Sequence, residues 1–129
     1  MPEIQNREDV NKIVLTFYNR IRKDAVLGPI FNTAIQEEKW PEHLEKLTDF
    51  WYSNLFGVRT FTGNPVQAHI KTDKMMKNTM GPEHFERWLE LWFTTIDALF
   101  DDQLAQRAKQ LAHNIARRQL MIVYSARSN

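Results

Sequence analysis

The 129-residue chain contains no cysteine, only four glycines and no excess charge of either sign. Without cysteine there is no disulfide, no thiolate metal site, no cysteine-anchored cofactor and no thiol nucleophile. A glycine-rich phosphate loop, an HExxH zinc motif and a nucleophile elbow are all missing. Lysine and arginine number 17 against 16 acidic residues, for a formal net charge of +1. The basic residues are interspersed with acids, as where Arg20, Arg22 and Lys23 run into Asp24. The one tight pair elsewhere, Arg117-Arg118, reads as a solvated helix face. That distribution argues against a nucleic-acid partner. Every apolar stretch falls far short of a membrane span. The polar, acidic start MPEIQNRED is unlike a signal peptide, so the expectation is a cytoplasmic protein with no membrane partner.

What the chain does have is rings: eight Phe, four Trp and three Tyr. Rings in that number must bury against one another or against something flat and apolar. The length favours one domain, 1–129, with 1–6 and 125–129 expected as loosely ordered tails. A domain of this size buries roughly two-thirds of its unfolded surface, enough for one core.

Apolar residues at Val10, Ile13, Val14, Phe17, Tyr18 and Ile21 form one stripe of a helix from Asn6 to Asp24, with Asn6 as cap. Gly28-Pro29 breaks the chain, and Ile30-Phe31 opens a short turn or helix to Ile35. Trp40-Pro41 starts another helix, carrying Leu44, Leu47, Phe50, Trp51 and Leu55, which Gly57 ends. Residues 58–64 read as loop, Asn64-Pro65 as the start of a short helix with Val66, His69 and Ile70, and residues 71–80 show no clear period. Gly81-Pro82 launches a helix bearing Phe85, Trp88, Leu89, Trp92, Ile96, Leu99 and Phe100. After Asp101-Asp102 a last long helix carries Leu104, Ala108, Leu111, Ala112, Ile115, Gln119, Ile122 and Val123. No run alternates as a strand does, so the predicted class is all-α.

The candidates for chemistry are four histidines. His84, in the first turn of its helix, and His113, off the apolar stripe, both read as solvated. His43 sits beside Leu44 and Leu47 and fits a plain boundary residue. His69 lies on a short helix between loops that contributes little core, which leaves two readings open, a solvated loop residue or a metal ligand.

The segments Phe17-Tyr18, Leu27-Gly28-Pro29-Ile30-Phe31-Asn32, Trp40-Pro41-Glu42-His43, Phe50-Trp51, Pro65-Val66-Gln67-Ala68-His69 and Phe85-Glu86-Arg87-Trp88-Leu89 together resemble the truncated haemoglobins. Among these the chain is similar to the third group, marked by a distal tyrosine, histidine and tryptophan and by the lack of the other groups' glycine motifs. The likeness runs from about residue 7 to about residue 124.

That resemblance implies a two-over-two helical sandwich around haem b, iron protoporphyrin IX. His69 would be the proximal iron ligand, one imidazole nitrogen on the metal and the other N–H donating to an orienting partner. Tyr18, His43 and Trp88 would be the distal residues, His43 either donating to the ligand or swinging as a gate. Phe31, Leu47, Trp51, Ile70 and Phe85 would form the apolar bed, with Phe17 as a further wall candidate. Lys46 would pair with a propionate, a solvated lysine being the alternative. Met75, Met76 and Met80 would fill gaps rather than ligate.

Donors aimed at a ligand that gathers negative charge in a dry pocket would slow its escape. The implied function is therefore binding of dioxygen, nitric oxide or similar ligands for chemistry or sensing, rather than bulk oxygen transport. Nitric-oxide dioxygenase or peroxidase-like activity would need a separate reductase. A haem-free helical interaction module is the reading from another class.

Overall fold

The computed structural model describes residues 3–58 and 81–128, with side-chain surroundings up to residue 121. Helix α1 spans Arg7–Lys23, α2 Gly28–Ala34, α3 Trp40–Phe56, α4 Pro82–Leu99 and α5 Gln103–Ser128, with a 3-10 turn at Glu37–Lys39 before α3. No strand occurs among the described residues. The expected short helix at Asn64-Pro65 lies outside them.

Local signals mark several of the helix boundaries. Asn6 caps α1 by accepting from the Asp9 N–H at 3.0 Å, and Glu8 and Asp9 suit the positive end of its dipole. Prolines near the starts of α2, α3 and α4 need no N–H there. Gly57 ends α3 at φ 71°, a left-handed turn that glycine adopts without strain. Gly28 is needed for a different reason: a Cβ there would stand 2.7 Å from the Arg22 carbonyl oxygen. The close approach lets α2 fold back on the end of α1.

All six apolar positions of the α1 stripe are buried. From that central place α1 packs against α2, α3 and α4, while α4 pairs with α5 and α3 reaches α5. The α4–α5 pairing is close because α5 presents Ala105, Ala108, Ala112 and Ala116, each at most 4% exposed. Leu104, Leu111 and Ile115 flank this small-residue stripe and are half-buried. Polar stitches hold the registers. Arg7 bonds Asp49 at 2.7 and 3.0 Å and Glu45 at 2.9 Å. Asn11 donates to Thr48 at 3.0 Å, and Arg20 to Thr95 at 3.2 Å.

Ile4 is 3% exposed and its N–H donates to the Asp102 carboxylate at 3.1 Å, tying the segment before α1 to the start of α5. At the other end α5 continues to Ser128. No described helix is long and apolar enough to cross a membrane.

Candidate functional site

Tyr18 points from α1 into the space shared by all four long helices. Its side chain is 5% exposed and ringed edge-on by Phe17 at 4.8 Å, Phe31 at 6.1 Å and His43 at 6.1 Å. Burial drives the phenol pKa well above its ordinary value, so the hydroxyl keeps its proton and stays a donor at any physiological pH. The indole N–H of Trp88 lies near enough to oppose that shift in part. Even so, it is buried and reaches no acceptor in hydrogen-bond geometry among the described residues.

Beside the two rings lies a cavity of about 30 Å³. A water needs roughly 10–15 Å³ by this measure, so the space suits a diatomic molecule or one to two waters. Tyr18 closes it from α1; Leu47, Phe50 and Trp51 from α3; Phe85 and Trp88 from α4; Ile115, Ala116 and Gln119 from α5. The lining is apolar apart from Tyr18, Trp88 and Gln119.

Of the residues singled out in the sequence, Tyr18, Leu47, Trp51, Phe85 and Trp88 meet at this cavity. Phe31 and His43 stand one shell back, against Tyr18. His43 also meets Trp40 edge-on at 5.5 Å, and it is half-buried. Burial first, then the charge of Lys46, holds its pKa below the ordinary imidazole value, so the ring is neutral at neutral pH. Phe17 is fully buried behind the wall, edge-on to Trp88 and Trp92. Lys46 lies on the outer face of α3, 64% exposed, and pairs with Glu42 at 3.4 Å. His69 and Ile70, like Met75, Met76 and Met80, lie outside the described residues.

One sequence reading is corrected. His84 is not solvated: its side chain is 14% exposed, and Nδ1 accepts from the Gly81 N–H at 2.8 Å. As the third residue of α4 it reaches back to satisfy an orphaned N–H, the reciprocal half of a capping box. His113 is exposed, as expected. Sequence reasoning missed Phe50, Ile115, Ala116 and Gln119 as cavity residues. Gln119 carried a signal, being a polar residue inside an apolar helical stripe. Ala116 carried none.

No group of three or more His, Asp or Glu side chains is placed to hold a metal among the described residues. A flat prosthetic group that carries its own metal is a different case. The residues present fit such a group. A buried indole donor lacks a protein acceptor, a protonated phenol stands next to it, and flat apolar rings form the walls.

No protein-family model matches the chain. It is 34% identical over 116 residues to the group 3 truncated hemoglobin ctb of Campylobacter jejuni, covering 88% of this chain and 87% of that protein. The crystal structure of the group III truncated hemoglobin from Campylobacter jejuni superposes with a TM-score of 0.79. That match covers 95% of this chain and 94% of the other, at 32% identity.

Proposed function

The chain belongs to the group III truncated haemoglobins, and on that premise we propose that it holds haem b through His69 and binds dioxygen or a related diatomic ligand beside Tyr18 and Trp88. The observation that carries this reading is the unpartnered Trp88 N–H next to a phenol that cannot ionise. A buried donor left unbonded is costly; Trp40 keeps one as well, but of the two only Trp88 faces the cavity. An acceptor brought into the cavity supplies what the indole lacks.

Haem, when bound, supplies the iron that takes the ligand and the redox chemistry that follows. The protein's part is orientation and electrostatics. Tyr18 and Trp88 donate to a ligand that gathers negative charge, and the apolar walls from Leu47, Trp51 and Phe85 keep out competing water. His43 is neutral and stands against Tyr18, where it fixes the phenol's position or swings aside to admit ligand. A ligand held by two donors leaves slowly, which suits nitric-oxide or peroxide handling, or sensing, better than bulk transport. A separate reductase would return electrons. Lys46 is free to exchange Glu42 for a haem propionate, since an exposed pair of this kind contributes little.

An absorption spectrum of the purified protein tests the haem reading. A Soret band sharpened by reduction and carbon monoxide is the expected result. Its absence after reconstitution with haemin would leave the haem-free interaction module. Turnover with nitric oxide or peroxide, supplied with a reductant, then tests the chemistry.

A further inference from the structure

Following the buried face of α5 by helical steps gives Ala105, Ala108, Ala112 and Ala116, and the next step is Gln119. Its side chain is only 4% exposed. Among the described residues, the buried threonines Thr48 and Thr95 are satisfied within the chain. Thr48 accepts from Asn11 and donates to the Leu44 carbonyl, and Thr95 accepts from Arg20. Gln119 has no hydrogen-bond partner among the described residues, and it lines the cavity with Tyr18 and Trp88.

An amide carries two N–H donors and a carbonyl acceptor. A diatomic ligand has no hydrogen to give, so it cannot satisfy the carbonyl; water can satisfy both ends. The cavity has the roughly 10–15 Å³ that one water needs, and the Tyr18 hydroxyl gives a second polar partner. Leu47 and Ile115 offer a water nothing; Tyr18 and Trp88 can donate to its oxygen, and the Gln119 carbonyl adds the acceptor for its hydrogen that the indole cannot provide.

We infer that Gln119 anchors a water molecule in the cavity, which an arriving ligand must displace. The consequence for ligand binding rests on the haem reading; the water site itself does not. Tyr18 and Trp88 then govern how long a ligand stays, and Gln119 governs how easily it arrives. Gln119 is a positioning residue acting through that water, at a site where an apolar side chain would pack without an unbonded amide.

The test uses Gln119→Met, which keeps length and flexibility, and Gln119→Leu as a second apolar variant. The first measurement is a crystal structure of the wild-type protein, with or without haem. It should show an ordered water about 2.7–3.2 Å from the Gln119 amide, and the Gln119→Met crystal should lack it. The second is carbon monoxide rebinding to the haem-loaded protein after flash photolysis. Carbon monoxide is a poor hydrogen-bond acceptor, so its association reports water displacement rather than donor strength. Association should quicken about three- to tenfold in both variants, given typical net hydrogen-bond strengths, while oxygen dissociation changes less than about twofold. No water on the amide, or unchanged association with haem bound, overturns the inference. So does a hidden chain partner for the amide, seen as a fall of several degrees in the melting temperature of both variants. If wild-type protein shows no Soret band, the haem reading fails by itself and the crystallographic water alone decides the role of Gln119.

Discussion

Trp88 and Trp92 stand one turn apart on α4, with rings parallel to within 4° and 6.2 Å between centroids. They have opposite fates. Trp92 is 1% exposed, stacks on Trp51 at 4.4 Å, and donates its N–H to the Ala108 carbonyl at 3.2 Å, bonding α4 to α5. Trp88 borders the cavity and its N–H is bonded to nothing among the described residues. The same residue type on the same helix face closes the core at one step and leaves a donor waiting at the next. Trp92 spends its polar atom on holding the fold, whereas Trp88 keeps its N–H unbonded at the cavity, as Trp40 does away from it.

The largest effect expected lies on the ligand side of that contrast. His69→Ala should abolish stable haem retention, read as loss of the Soret band on gel filtration, with external imidazole restoring part of the spectrum. Unchanged haem binding would remove the chemistry from the Trp88 side altogether. Next comes the core side. Trp92→Phe loses a stacked ring, a bonded N–H and volume together, and should cost about 2–4 kcal/mol in urea unfolding. Trp88→Phe should cost about 1–2 kcal/mol, because it gives up ring volume beside Phe17 but no bonded N–H. Equal losses in the two variants would break the comparison.

Trp88→Phe should instead appear in ligand kinetics. It and Tyr18→Phe should each speed oxygen dissociation about ten- to a hundredfold, the scale of a hydrogen bond to a charged group. Because both donors act on one ligand, the double variant should fall short of the product of the two effects. If both variants release oxygen at the wild-type rate, the donors do not act on ligand.

The smallest effect concerns His43, whose pKa is lowered in the folded chain from an ordinary 6.5. As pH falls below that value the unfolded chain takes up this proton first, so stability drops until the folded pKa is passed and then levels. His43→Leu should flatten that part of the stability–pH curve. A slope identical to wild type would mean that His43 is not the group titrating.

The long helices were legible in the sequence because local signals mark several of their boundaries, such as Asn6 at a cap, prolines in the first turn and Gly57 beyond the end of α3. Stripes such as Val10 to Ile21 fixed which face turns inward. The candidate site was legible only where resemblance attached roles to Tyr18 and Trp88. Nothing in periodicity separates a wall residue such as Phe85 from a core residue such as Phe17, since both are apolar at helical spacing. His84 was misjudged for a related reason. An imidazole at the third position of a helix can face water or turn back to cap, and only the placement of the Gly81 N–H settles which.

The sequence by itself determined the all-helical class, the breaks between the described helices, the lack of disulfide and thiol chemistry, and the family likeness. All of these follow from residue type and spacing along one chain. Tertiary structure decided which side chains meet across helices. It bonded Trp92 to Ala108 and left Trp88 unbonded, and it sent Lys46 outward to Glu42. It also turned Gln119 of α5 toward the cavity that Tyr18 of α1 closes. Those outcomes depend on crossing angles and on which small residues, here Ala105 through Ala116, let one helix approach another, and such distances are not written in any single segment.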